Sequence, residues 1–459
     1  MLPEACADFS ARILDLGPDA VDSLEVERLR RILAAKEPAS SLLGLSNDEL
    51  LERLGVLVRE QGGERREEGA GRNEERRTMN DERGGLRLTV AGLLLVGKED
   101  VLRQQLPGHE AIYLHMKSDT EYDKRVDSAR PLLAILEQFT QALEPYNRIY
   151  TLKLGLFHFE IPDFPEDVCR EALLNAFVHR DYGVTGPVYL RHFADRLEIS
   201  NPGGFFGDVS PQNILGHEPV SRNRLLSESL QKTRMVERAG MGVKRMFHIL
   251  LSYGKEPPSY ESGPDFVRLT LRSGRVESAQ GNRDETGIDE NFARFVVNRH
   301  QEGRELTLHD LLVFSFLKRN REIDLSEAER ILQRSQNEAR ETLSSMVLRG
   351  LLEPFGQKKG RVYRLSKAVY SQLKKSVSYS LFRRAEAAFA ETAVMGYLEE
   401  MTGPEASRFV TNEIVRTLLR VSPAQARYLL SGLVKKKRLV LRGWGRAAKY
   451  FKSSQLSVF

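Results

Sequence analysis

The chain has 459 residues and a net charge of +5, which is too long for one ordinary core and fits roughly three domains. A hydrophobic fraction of 41% excludes wholesale disorder, and two distant cysteines, Cys6 and Cys169, exclude a disulfide framework and suit a reducing cytoplasm. No basic and then apolar leader opens the chain and no run of about 18 apolar residues occurs, so the expectation is a cytoplasmic protein without a membrane partner.

In chain order, residues 22–56 predict two helices, the first carrying Leu24, Val26, Leu29 and Leu33 and the second Leu50, Leu51 and Leu54. Ser46-Asn47-Asp48-Glu49 supplies a cap between them. Residues 61–85 hold thirteen charges and six glycines. They bury too little to offset ordering entropy, so they are expected to be a flexible charged linker after a helical region at 1–60. From 86 to 273 strands and helices mix. LTVAGLLLV reads as a buried strand or a strand–helix start, SARPLLAILEQFTQAL as an amphipathic helix, and PVYLRHFADRLEISNP as two alternating strands around an Ala-Asp turn. Residues 274–289 form a second linker. Two segments, 290–370 and 391–459, share a plan of helices followed by a basic hairpin, with a helical connector at 371–390 between them.

The richest window is Glu171-Ala-Leu-Leu-Asn175-Ala-Phe-Val-His179-Arg-Asp-Tyr182. On a helix, positions i and i+4 share a face, so Glu171 and Asn175 project together. A carboxylate beside an amide oxygen suits a Mg²⁺–triphosphate site, the carboxylate orienting water and the amide oxygen offering a hard ligand. A strand then runs into Asn201-Pro202-Gly203-Gly204, where glycines let a base ring approach the backbone. Glu237-Arg238-Ala239-Gly240-Met241-Gly242 opens an apolar helix whose N–H groups can face phosphates. Alone, Glu-x-x-x-Asn usually marks a solvated face and Asn-Pro-Gly-Gly a turn. Their occurrence in this order reverses that reading.

These three elements resemble the N, G1 and G2 boxes of the GHKL ATPase superfamily, which includes DNA gyrase, histidine kinases and the MutL repair proteins. The EALLNAFVHRDY, DRLEISNPGG, SRN and GMGV blocks are more closely similar to ATP-binding regulators that often carry a Schlafen-type AlbA_2 domain in front. The resemblance implies an α+β chain: a GHKL-like α/β sandwich binding ATP, followed by two winged-helix domains. It implies Glu171 as general base or water-orienting group, Asn175 as Mg²⁺ ligand, and Asn201 where most of the superfamily has an adenine-reading Asp. Gly203 and Gly204 would shape the base pocket, Gly240 and Gly242 would line the phosphates, and Arg222 and Asn223 would lie in a lid. Asn at 201 keeps an acceptor but loses a charge, and no triphosphate-sensing lysine is recognisable, so binding is better supported than hydrolysis. An AlbA_2 domain would precede the helices at 22–56, where only about twenty residues stand, so the expectation is that the chain either lacks it or has a truncated start, with residues 1–60 at most a remnant.

Two motifs mislead. Gly92-Leu-Leu-Leu-Val-Gly97-Lys98 has P-loop spacing, but Glu99 replaces the required Ser/Thr and the interior is aliphatic, which argues against a motor helicase. His179-Arg180-Asp181 mimics a kinase catalytic loop without its partners. His179 is expected instead to end its helix near the negative dipole end.

From Thr411 to Phe459 eleven Lys/Arg face one acid, Glu413. Thr411-Asn412-Glu413 predicts a capped helix, Leu418–Ser422 a turn and Pro423–Val434 a recognition helix. On double-stranded DNA, Gln425 and Arg427 would reach base edges. Arg420, Lys435, Lys436, Lys437, Arg438, Arg442, Arg446 and Lys449 would meet phosphates, and Trp444 would wedge at the wing tip. The earlier recognition helix, Gln336–Leu348, is less basic. The leading expectation is an ATP-responsive transcriptional regulator, with a homodimer as a further expectation. The rivals are a DNA-stimulated ATPase in DNA metabolism or phage defence and, more remotely, a histidine-kinase-like phosphotransferase.

Overall fold

The computed structural model describes residues 8–59, 85–154, 157–236, 240–273, 289–356, 361–373, 390–399, 401, 408–419, 423–445 and 448–453. The expected linkers at 61–85 and 274–289 therefore lie almost wholly outside the described residues. The chain divides into two compact units, Met1–Glu290 and Asn291–Phe459.

In the first unit, α1 (Ser23–Lys36) and α2 (Asn47–Leu54) precede β1 (Leu57–Arg59). The predicted cap is present: Glu49 N donates to Ser46 Oγ and Ser46 N to Glu49 Oε2, while Gly55 ends α2 at φ 78°. β2 (Leu86–Leu88) pairs antiparallel with β1 and leads into α3 (Val90–Val96) and α4 (Glu99–Gln105). The motif with P-loop spacing is thus a helix. Thr89 Oγ1 caps it, and a Cβ on Gly92 would come within 2.4 Å of the Val56 carbonyl, so this glycine serves close packing of α3 on the chain before β1.

Next come β3 (Ala111–Met116), β4 (Tyr122–Ser128), α5 (Leu132–Leu143), β5 (Ile149–Leu154), β6 (Phe157–Pro162) and α6 (Glu166–Val178). They are followed by β7 (Val188–His192), β8 (Arg196–Pro202), α7 (Arg224–Lys232), α8 (Met241–Ser252), β9 (Ser259–Ser262) and β10 (Phe266–Arg272). A mixed six-stranded sheet has the order β4-β3-β7-β8-β10-β9, parallel only between β3 and β7, and β5 and β6 form a separate hairpin. Helix α6 packs on β8 and against α8, and so brings the Glu171 face to the end of the sheet where β8 finishes. One core runs through this unit. Val26 and Leu29 of α1 and Leu50, Leu51 and Leu54 of α2 are buried in the same cluster as Leu93, Phe139, Phe177 and Ile199. The helices expected before residue 60 therefore share the core of the sheet domain: their apolar stripes are too small to make a core alone, and α1 packs on α3 and α5 while α2 packs on β1 and α7.

In the second unit, α9 (Glu290–Gln301), α10 (Leu308–Arg319), α11 (Leu325–Leu332) and α12 (Gln336–Leu348) precede the hairpin of β11 (Leu352–Phe355) and β12 (Val362–Leu365), then α13 (Lys367–Gln372). Ile323 forms an isolated antiparallel bridge to Tyr363 beside that hairpin. Capping boxes at Thr307/Asp310, Asp324/Glu327 and Ser335/Glu338 open the three middle helices. Further along, α14 (390–399) leads to β13 (Phe409–Val410), α15 (Asn412–Leu419), α16 (Pro423–Lys435), β14 (Leu439–Arg442) and β15 (Lys449–Lys452). The three strands lie in the order β13-β15-β14 over a core of Val394, Leu398, Val415, Leu430, Leu433 and Tyr450. The first module thus runs four helices into a hairpin, and the second runs helix, short strand, helix, helix, hairpin. No helix among the described residues is long and apolar enough to cross a membrane.

Candidate nucleotide site

The geometry begins with α6. The i,i+4 pair is joined: Asn175 Nδ2 donates to Glu171 Oε1 at 3.1 Å, which turns the amide oxygen away from the carboxylate. Glu171 in turn lies against the N-terminus of α8. A Cβ on Gly242 would come 1.7 Å from Glu171 Oε1, so only glycine leaves room for the carboxylate there. A carboxylate beside the first turn of a helix is favourably placed. Gly240, the residue before α8, holds φ 65° and packs on Pro219. Glu237-Arg238-Ala239 of the same motif lie outside the described residues.

These groups open into one cavity of about 580 Å³, a size suited to a small-molecule ligand. Its lining includes Glu171, Asn175, Asn201, Gly204, Gly240 and Gly242 from the sequence reading. Asn201, at the end of β8, is buried and donates Nδ2 to the Pro202 carbonyl at 3.2 Å, which leaves Oδ1 as its acceptor. The apolar lining was not anticipated: Phe205 and Phe206 follow the glycines, Ile199, Val267 and Leu269 come from β8 and β10, and Val243 from α8. Alternation in β8 predicts that one face is apolar, but not that part of it lines a cavity, and the sequence reading assigns no alternation to β10. Ser227, Glu228 and Gln231 of α7 complete one wall. Tyr260 of β9 also faces in, and its hydroxyl pKa is raised by burial and then by the Glu171 charge.

Three expected ligand-binding residues sit behind the lining. Gly203, at φ 87°, packs where a Cβ would come 2.5 Å from Asp181 Cβ. Arg222 donates Nη1 to Asp181 Oδ2 at 2.6 Å and Nη2 to the Gly204 carbonyl at 3.1 Å, and lies over the Phe206 ring. Asn223 is fully buried, its Nδ2 donating to the Val178 and Arg180 carbonyls at 2.9 and 2.8 Å. Together they tie the end of α6 to the loop after β8 and to the start of α7. None of the three is part of the cavity's lining, and the Arg222 Nη groups and the Asn223 amide nitrogen are held by the protein.

The same network explains His179-Arg180-Asp181. Asp181 is the partner of Arg222, and Arg180 is buried over the Tyr182 ring with Nη2 on the Gly108 carbonyl. His179 does end α6, but burial, with Arg222 adding to it, pushes its pKa down to about 4. It is therefore neutral at pH 7, and the expected charge–dipole attraction is absent because desolvation outweighs it.

Residues 186–271 match the family model described as the putative ATP-dependent DNA helicase recG C-terminal domain. This region is ATPase-like, of GHKL type. The match spans β7 to β10 and so contains Asn201, Gly240 and Gly242, whereas Glu171 and Asn175 join the ATPase-like domain through packing of α6. The crystal structure of the DIP2311 protein from Corynebacterium diphtheriae superposes with a TM-score of 0.61 at 22% identity, covering 80% of this chain and 66% of that one. That likeness is one of fold, and the chain spans just under two thirds of that protein's length. No curated protein matches the chain.

In the C-terminal module, Arg427, Lys435, Lys436, Lys437, Arg438, Arg442 and Lys449 are exposed, and Trp444 is 91% exposed at the hairpin tip. Lys436 and Arg438 pair with Glu391, while Arg442 lies over Phe451 and Lys449 over Phe409. Arg420, Arg446 and the Gln425 side chain lie outside the described residues. In the module before it, Arg349 is held by the fully buried Asp310 at 2.5 and 2.8 Å and Arg334 by Glu338, so these cations serve the fold.

Proposed function

We propose that the chain is an ATP-binding, DNA-binding transcriptional regulator in which nucleotide binding modulates two winged-helix modules on double-stranded DNA. Within this reading it is a GHKL-type regulator of the kind that carries a Schlafen-type AlbA_2 domain, acting as a homodimer in the cytoplasm. The observation that carries the nucleotide half is the convergence of Glu171, Asn175, Asn201 and Gly242 on one cavity. Asn201 Oδ1 would accept from the adenine amine, and the Phe205 and Phe206 rings would cover the base. Mg²⁺ would neutralise triphosphate oxygens, with Asn175 Oδ1 as its protein ligand. The donor set suits that role: an amide oxygen is a hard ligand, and Mg²⁺ typically keeps waters and phosphate oxygens and takes few protein ligands. The DNA half rests on the exposed cations of α16 and its hairpin.

The test is ATP titration with and without Mg²⁺. Wild type should bind with Mg²⁺ dependence, and Asn175→Ala should bind about 30-fold more weakly, as loss of a ligating oxygen and of the hold on Glu171 implies. Equal affinity in the variant would overturn the reading. A second reading, a DNA-stimulated ATPase, is favoured by the Glu171 carboxylate on the cavity wall, where it could orient water. Turnover abolished by Glu171→Gln supports the enzyme, and tight binding with negligible wild-type turnover supports the switch.

A further inference from the structure

Helix α7 forms one wall of the cavity, yet its own N-terminus carries no side-chain cap, because Asn223 has turned its amide to the Val178 and Arg180 carbonyls. The free amides are satisfied from the other end of the unit. Leu225 N donates to Asp8 Oδ2 at 2.8 Å and Leu226 N to Ser10 Oγ at 3.1 Å, across 217 and 216 positions of sequence. Ser10 is fully buried and donates Oγ to Asp8 Oδ1 at 2.6 Å, so the two caps form one unit. Phe9 between them stacks on Tyr182, with ring centroids 5.9 Å apart, next to the Asp181 that holds Arg222. The segment therefore grips both the start of α7 and the end of α6, the two elements that meet at the cavity.

We propose that Asp8 and Ser10 are positioning residues of the nucleotide site, capping α7 from afar and setting where its Ser227–Glu228–Gln231 wall stands. The proposal rests on the nucleotide reading above. Orphan amides at a helix start are stabilised by an oxygen acceptor, and a carboxylate there also meets the positive dipole end. Without the cap the first turn of α7 frays, and the wall loses its fixed position.

The experiment compares the wild-type chain with Asp8→Ala, Ser10→Ala, Asp8→Asn and the control Asp22→Ala, which removes the cap of α1 instead. Two quantities are read: hydrogen exchange at the Leu225 and Leu226 amides without nucleotide, and ATP affinity. Asp8→Ala and Ser10→Ala should speed exchange at those amides and weaken ATP about 5- to 20-fold. Asp8→Asn, whose single amide oxygen can cap Leu225 N but not also accept from Ser10 N, should fall between Asp8→Ala and wild type in both, and Asp22→Ala should move neither. Faster exchange with unchanged affinity, or unchanged exchange, overturns the proposal while leaving the nucleotide reading intact. A wild-type chain that binds no ATP overturns the reading and the proposal with it.

Discussion

The cavity of the ATPase-like domain and the basic face of the C-terminal module hold their polar groups by opposite means. Around the cavity, polar groups are half-buried or buried and paired with one another: Asn175 on Glu171, Arg222 on Asp181, Asn223 on two carbonyls. On the C-terminal module the cations stand in water, and two of them, Lys436 and Arg438, share one acid, Glu391. Buried groups of the first kind lose the full desolvation cost when a partner goes, whereas exposed ion pairs contribute little and are screened by salt. Steric and proton-linked changes should therefore dominate the first region and ionic strength the second.

The sharpest break in that contrast is Gly242→Ala. With its Cβ 1.7 Å from Glu171 Oε1, the variant must displace either the carboxylate or α8. A loss of ATP affinity of at least about 100-fold is expected, read by calorimetry beside a melting curve that separates site loss from unfolding. Unchanged affinity would mean that Glu171 and α8 move independently.

A smaller effect comes from acid. His109 is buried, with Nε2 on the Arg130 carbonyl at 2.9 Å, and burial pushes its pKa down to about 4 from an ordinary 6.5. As pH falls below 6.5 the unfolded chain takes up this proton and the folded chain does not, so stability falls with pH until about 4 is reached. By pH 5 the loss is about 2 kcal/mol. Thermal melts at pH 7 and 5 should show the first unit's transition falling in wild type and falling less in His109→Gln. Parallel slopes in the two proteins would remove His109 from the account.

The smallest effect tests the other side. Lys435 is exposed and makes no ion pair among the described residues, whereas Lys436 pairs with Glu391. If both meet phosphate, Lys435→Gln should lower the slope of log affinity against log salt by about 0.9. Lys436→Gln should lower it less, because Glu391 already neutralises part of that charge. Equal slopes would show that the Glu391 pair opens on DNA, and no change in either would place the DNA face elsewhere.

Local patterns were legible where the physics is local. The Gln336–Leu348 helix follows from its period and its Ser335/Glu338 capping box, and the Glu171–Asn175 contact from i,i+4 spacing. The β7–β8 pair follows from alternation around Ala194-Asp195. What sequence did not disclose depends on partners far apart in the chain. Arg222 and Asn223 have the composition of ligand-binding groups, and only the fold shows that Asp181 and Gly204 hold the Arg222 Nη groups and the Val178 and Arg180 carbonyls the Asn223 amide nitrogen. Likewise α1 and α2 carry ordinary amphipathic stripes, and nothing in those stripes says whether a second element or the sheet domain covers them.

The β1–β2 ladder has a consequence for how this unit can be divided. Leu57 pairs with Leu88 and Arg59 with Leu86, so the chain leaves the core at Arg59 and re-enters it beside the same strand. A single backbone cut between Arg59 and Gly85 would leave two polypeptides that share one ladder and one core. One would carry Asp8 and Ser10, the other the helix they cap. Held only by non-covalent contacts, the halves would reassemble as a bimolecular pair, and the integrity of the cavity wall would then depend on their concentration.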